Sequence, residues 1–178
     1  MTMQVVRPRM KGFIALDAHP VGCARAVQEM ARDVEASGGN RLLTEGPVVV
    51  LGSSGGYGLP AAVTAVFRYS CPVVGVCLER PAQRGRTATA GWYSVVELHR
   101  EAARRGRQVI SLNADCFADE TKERVVEQLK RLGPPSLLIY SVAAPARTDP
   151  TSGVTYRSVL RPINEPFTTK TVKLDNGE

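Results

Sequence analysis

Gly52-Ser53-Ser54-Gly55-Gly56-Tyr57-Gly58-Leu59-Pro60-Ala61 places several glycines where a backbone must come close to a ligand. Gly56, Gly58 and Ala61 keep the spacing of a dinucleotide fingerprint, and Gly52, Gly56 and Gly58 keep its GxxxGxG variant. The chemistry of such a turn is anion binding. Bare backbone approaches a pyrophosphate, and amides at the start of the next helix take up its charge. Gly52, Ser53, Gly56, Tyr57 and Gly58 are therefore the candidate pyrophosphate residues. A turn that merely needs flexible glycines is the plainer alternative, and the Gly-Lys-Ser/Thr ending of a P-loop is absent.

Glu79 follows the glycines by about twenty residues and ends the next apolar run, where a carboxylate accepts ribose hydroxyls and repels the extra phosphate of NADPH. That points to NADH. Arg80 beside it could instead receive a phosphate. Asn113-Ala114-Asp115-Cys116 ends a third apolar run. There Asp115 could accept from the adenine amino group and the Cys116 amide could donate to a ring nitrogen, or Asp115 could cap the next helix. Ser141, Val142 and Ala143 end a fourth run, where small side chains let a nicotinamide ribose lie against backbone or simply pack closely. His19 reads as a cofactor neighbour or a satisfied structural histidine. Trp92 and Tyr93 read as core or lid residues, with Trp92 a potential fluorescence reporter.

The elements that must position these residues are periodic. Residues 47 to 52, 71 to 79, 107 to 115 and 135 to 143 read as buried strands, and 59 to 69, 92 to 106 and 119 to 132 as helices. Pro60 is tolerated in a first helical turn, where its missing amide proton has no helical partner. The alternation predicts an α/β, Rossmann-like parallel sheet with helices on both faces, right-handed crossovers and strand order 3-2-1-4. Its strands are continuously apolar rather than alternating, as double-sided burial requires. Residues 1–46 are expected to form an N-terminal extension packing on the core, with a helix over 21 to 36 closed by Ser37-Gly38-Gly39-Asn40. Residues 47–145 are the expected dinucleotide-binding core. Residues 146–178 are expected to form a hairpin around Asp149-Pro150-Thr151-Ser152-Gly153 and a last extended piece after Pro166.

A hydrophobic share of 43% against 22% charged fits a globular chain, and no apolar run reaches the roughly 20 residues of a membrane helix. No signal peptide is read at the N-terminus, so a cytoplasmic location and no membrane partner are expected. Four widely spaced cysteines without a CxxC pair read as reduced thiols, and two histidines exclude a histidine-rich metal site. The net charge of +6 is spread through periodic segments, which argues for solvated faces or a phosphorylated ligand and against nucleic acid.

These residues together resemble the trans-2-enoyl-CoA/acyl-carrier-protein reductase family of the single-chain bacterial type. The likeness begins at Arg7-Pro8-Arg9, Gly12-Phe13-Ile14 and His19-Pro20-Val21-Gly22-Cys23. It runs through the glycine turn, Glu79-Arg80-Pro81, Gly91-Trp92-Tyr93 and Asn113-Ala114-Asp115-Cys116-Phe117 to Tyr140-Ser141-Val142-Ala143-Ala144-Pro145, Arg147-Thr148 and Asp149-Pro150. It implies NADH as cofactor, enoyl-CoA or acyl-carrier-protein thioesters as substrates, and a longer enzyme of which this chain resembles the N-terminal portion. In that family Glu79 would meet the adenosine ribose, Asp115 and Cys116 the adenine, and Ser141 to Ala143 the nicotinamide side. Gly55 stands where the family carries a hydroxyl. The family's catalytic tyrosine, followed after eight residues by a lysine, does not occur here: the positions nine beyond Tyr57, Tyr69, Tyr93, Tyr140 and Tyr156 are Val66, Leu78, Ala102, Asp149 and Glu165. The four-residue Tyr-to-Lys spacing of short-chain dehydrogenases fails as well. No residue of the chain is therefore assigned to catalysis. The expectation is a truncated or split reductase, completed by homo-oligomerisation or by a chain supplying the catalytic half. The alternative is a catalytically inactive NAD(H)-binding regulatory or partner-binding module.

Overall fold

A computed structural model of the chain describes residues 9–11, 14–37, 46–159, 164–166 and 168. The expected turn at Gly38-Gly39-Asn40 and nearly all of the extended piece after Pro166 lie outside them.

Four parallel strands form the centre: β3 (Val48–Leu51), β4 (Val73–Cys77), β5 (Val109–Asn113) and β6 (Leu137–Tyr140), in the order β5-β4-β3-β6. This is the expected 3-2-1-4 order. Two short antiparallel pairs stand apart from this sheet, β1 (Met10–Lys11) with β2 (Ile14–Ala15), and β7 (Ala146–Thr148) with β8 (Thr155–Arg157). Val48, Val50 and Val73 point into the helical layer, and Val49, Val74 and Val76, alternating with them, are buried on the other face.

Helix α1 (Pro20–Ala36) packs along α3 (Ala90–Arg104), burying Val27 and Ala31 against the cluster that includes Leu98 and Ala102. Its start is written locally: Pro20 occupies the first turn, and the Gly22 amide donates to Nδ1 of His19 at 2.9 Å. His19 is thus a helix cap. Two buried carboxylates of α3 are paired on this interface, as burial of a charge demands. Glu97 accepts from Gln28 of α1 at 2.7 Å, and Glu101 meets Arg104 and Arg105. Arg105 holds Glu101 below the usual carboxylate range, reaches Glu35 of α1 at 2.9 Å and lies over the Phe67 ring.

The single helix expected over 59 to 69 is instead α2 (Gly58–Val63) running into a π-helical turn, Thr64–Arg68, where the Tyr69 amide donates to Thr64 O. Ala65, Val66 and Phe67 are buried in succession, which a regular α-helix with one apolar stripe does not allow. A right-handed crossover sends α4 (Asp119–Leu132) to the opposite face, where only Thr121 is buried on the helix. β6 is thinly covered on both of its faces. Leu137, Leu138 and Tyr140 of β6 are 47%, 60% and 62% exposed, although the sequence reads as a fully buried strand.

Candidate functional site

The chain leaves β3 in one direction to reach β4 and β5, then returns to its other side at β6. The reversal opens a crevice at the carboxyl ends of β3 and its neighbours, where open α/β sheets bind ligands. The glycine turn lies in it. Gly52 has φ +86°, and a Cβ there would sit 2.3 Å from Ser141 O; a Cβ on Gly58 would sit 2.0 Å from Gly52 O. The end of β3, the start of α2 and the end of β6 thus touch through backbone alone. At Gly55 and Gly56 an added Cβ meets nothing within 4 Å, so the tip of the turn is bare toward the outside. The Tyr57 ring is exposed beside it. Ser53 turns inward, its buried hydroxyl donating to Val76 O at 3.3 Å beneath the turn.

Glu79 sits just past β4, and its Oε1 accepts from the Ser54 hydroxyl at 2.6 Å, which ties the carboxylate to the glycine turn. Arg80 is exposed, with its backbone laced to Thr89. The loop into α3 is further held by the Ala88 amide donating to the Tyr93 hydroxyl at 3.0 Å. From the N-terminal side, Arg9 grips Asp17 at 2.6 and 2.7 Å and donates to Gly85 O, while the Ala18 amide donates to Thr87.

Asp115 does not cap α4, whose cap position is Ala118. Its Oδ1 accepts from the Phe117 amide at 2.9 Å, folding the β5 exit into a tight turn with the rest of the carboxylate exposed. Gly52, Leu78, Asp115, Cys116, Phe117 and Val142 line a cavity of about 150 Å³ between the ends of β3, β4, β5 and β6. Of the remaining predicted residues, Ser141 donates its amide to Leu51 O at 2.8 Å and lies under the turn, while Ala143 is exposed. Glycine turn, Glu79, Asp115, Cys116 and Val142 are thus brought to one edge.

Two residues of this edge lie within sequence matches that give them no role. Arg147 on β7 lies over the Phe117 ring, 5.1 Å from its centroid, and so docks the hairpin on the cavity wall. Asn113, the last residue of β5, bonds the backbone of Glu79. Behind Glu79 a second cavity, about 460 Å³, is walled by Trp92, Val95, Val96 and His99. His99 bonds Ser111 Oγ at 2.9 Å, and burial pushes its pKa down.

Cys23, Cys77 and Cys116 are free thiols. Burial, reinforced by nearby Glu79, pushes the Cys77 thiol up to about 11, against a hydrogen bond with Ser53. The thiolate is the reactive form, so at about pH 8 an alkylating reagent is expected to label half-buried Cys23 and Cys116 well before Cys77. Mass spectrometry of labelled peptides checks this, and early labelling of Cys77 would show an unsealed β4 end. Among the described residues no group of three or more His, Cys, Asp or Glu side chains could hold a metal ion, and no helix is long and apolar enough to cross a membrane.

Residues 5–84 match the family model for the NAD(P)H binding domain of trans-2-enoyl-CoA reductase, and residues 86–178 match the model for the trans-2-enoyl-CoA reductase catalytic region. The enoyl-[acyl-carrier-protein] reductase [NADH] of Opitutus terrae is 42% identical over 97% of this chain and 44% of its own length. The trans-2-enoyl-CoA reductase of Euglena gracilis is 42% identical over 99% of this chain and 33% of its own. The crystal structure of the Treponema denticola trans-2-enoyl-CoA reductase in complex with NAD superimposes with a TM-score of 0.84 at 35% identity, covering 96% of this chain and 44% of that one. The Clostridium acetobutulicum reductase in complex with NADH gives 0.88 at 29% identity, over 98% and 44%. The chain thus spans less than half the length of these relatives. With a parallel sheet in the expected order, a glycine turn at its switch point and family matches along both halves, the chain belongs to the trans-2-enoyl-CoA reductase family.

Proposed function

We propose that this chain is the NADH-binding part of a reductase for trans-2-enoyl thioesters, of coenzyme A or acyl carrier protein, whose tyrosine and lysine lie outside these 178 residues. The observation that carries the reading is the Glu79 carboxylate, hydrogen bonded at 2.6 Å to the turn that would face the pyrophosphate. The residues fit the cofactor. Gly55 and Gly56 leave the turn bare, and Glu79 offers anionic acceptors of the kind a ribose diol needs. Gly52, Gly56, Tyr57 and Gly58 would hold the pyrophosphate, Asp115 and Cys116 the adenine, and Ser141, Val142 and Ala143 the nicotinamide side. Bound NADH would supply hydride for the β-carbon of the thioester.

The division at residues 46/47 and 145/146 belongs to the same reading: an N-terminal segment bracing the Glu79 loop, a binding core, and a hairpin docked through Arg147. A second copy or a companion chain carrying the tyrosine and lysine would add to β6. That strand pairs only with β3 in the described sheet, and it flanks an apolar groove of about 380 Å³ lined by Val48, Ala65, Leu137 and Ile139. A cytoplasmic setting suits the free thiols.

Titration calorimetry with NADH on the purified chain, followed by crotonyl-CoA turnover on the same sample, tests this. Saturable NADH binding without turnover is expected. Turnover would reveal a catalytic group other than the family pair, and NADH binding without turnover in the natural assembly would favour a regulatory module. A folded chain that does not bind NADH would overturn the proposal.

A further inference from the structure

β4 ends at Cys77, paired with Asn113 in register, so the ladder gives Glu79 no backbone partner of its own. Asn113 provides one from its side chain. The Glu79 amide donates to Asn113 Oδ1 at 2.7 Å, and Asn113 Nδ2 donates to the Glu79 carbonyl at 2.9 Å. A planar amide bonded to both groups of one residue imitates a further rung of the sheet and fixes the backbone beyond the strand end.

With its backbone fixed, the Glu79 side chain folds back toward the first turn of α3. A Cβ on Gly91 would sit 2.1 Å from Glu79 Oε1 and 2.5 Å from its Cδ, so the carboxylate occupies space that only a glycine leaves open. Ser54 closes the third side by its hydrogen bond. The end of β5, the glycine turn and the start of α3 therefore converge on one carboxylate. Ser54 uses one of about four acceptor sites on it, leaving the others for a ligand diol.

We propose that Asn113 is a positioning residue for cofactor selectivity: it holds Glu79 so that the carboxylate, seated in the space left by Gly91, discriminates an unphosphorylated adenosine ribose from a 2′-phosphorylated one. This rests on the reading of the edge as a dinucleotide site. The chemistry is that of a fixed charge. A carboxylate free to swing could move away from a phosphate, whereas a pinned one cannot and keeps rejecting it.

The test uses the 178-residue chain and measures dissociation constants of NADH and NADPH by calorimetry for wild type, Asn113→Ala, Gly91→Ala, Glu79→Ala and the Asn113→Ala/Glu79→Ala pair, with thermal unfolding of each. Asn113→Ala is expected to lower the preference for NADH over NADPH about tenfold, the scale of one charge-assisted hydrogen bond between a ribose hydroxyl and the carboxylate that Asn113 no longer holds in place. Gly91→Ala, which displaces the same carboxylate by another route, is expected to lower it likewise. Added to Glu79→Ala, the Asn113 change is expected to leave selectivity where Glu79→Ala alone puts it, because no carboxylate remains to be positioned. If wild type prefers NADH and the single variants keep that preference, or if the two changes add independently, the positioning role is wrong. A folded wild type that binds neither nucleotide removes the cofactor reading itself, and the inference with it.

Discussion

Gly58→Val is expected to abolish detectable NADH binding and to lower the melting temperature by about 5–10 °C, the effect of overpacking at a rigid contact in a domain of this size. A Cβ at this position would meet Gly52 O at 2.0 Å and Gly52 C at 2.8 Å, and both are backbone atoms that cannot rotate away. Relief requires α2 to withdraw from the end of β3, which would carry Gly55 and Gly56 out of the crevice. Ser141 closes the remaining direction, its Cβ 3.3 Å from the same point. Gly55→Ala is the matched control, since a Cβ there meets nothing within 4 Å and stability should not change. Thermal unfolding with NADH titration checks both. A Gly58→Val chain that melts and binds like wild type would mean that the close approach of strand and helix is not what fixes the turn.

The sheet was legible because burial on two faces leaves little choice of residues. Val48–Leu51 and Val73–Cys77 are continuous apolar runs, and glycines and helices between them force parallel pairing. β6 has the same composition but a different environment: what would cover Leu137 and Leu138 is not among the described residues, and composition reports a preference for burial, not its attainment. The widened turn at Thr64–Arg68 escaped a periodicity argument because a single helix was fitted to three successive residues that all enter the core.

At the site, the glycine turn and Glu79 could be found because their roles depend on local spacing. Asn113 could not be found that way, since its partner is 34 residues away. The signal was present but tertiary: a polar residue closing an apolar strand that lies beside the strand of Glu79. For Asp115 the sequence leaves an adenine contact and a helix cap both open, and only the cap alternative is removed by the structure. An aspartate shortly before a helix suggests a cap, yet its carboxylate satisfies the Phe117 amide within its own turn, and Ala118 takes the cap position. His19 was legible in principle, because Pro20 marks a helix start, but histidine is an unusual cap.

Glu79→Ala is expected to weaken NADH binding by about ten- to hundredfold, the range for losing hydrogen bonds to a charged acceptor, while NADPH affinity holds or improves. Two effects are folded into that result, and Glu79→Gln separates them. An amide keeps an oxygen acceptor for a ribose hydroxyl but carries no charge, so NADH affinity should fall only a few-fold while rejection of the 2′-phosphate is lost. Arg80 adds to the difference. It is exposed on the adjoining position, and once the neighbouring carboxylate is gone its guanidinium is the nearest cationic group in sequence to that phosphate. Raising the salt concentration should then reduce the gain in NADPH affinity in Glu79→Gln, because an exposed ion pair is screened, and should leave NADH affinity little changed. If Glu79→Gln loses NADH as severely as Glu79→Ala, charge and not hydrogen bonding is what the ribose requires. If neither variant changes selectivity, the discriminating group lies elsewhere on the edge, and the seat formed by Ser54, Gly91 and Asn113 serves the fold alone.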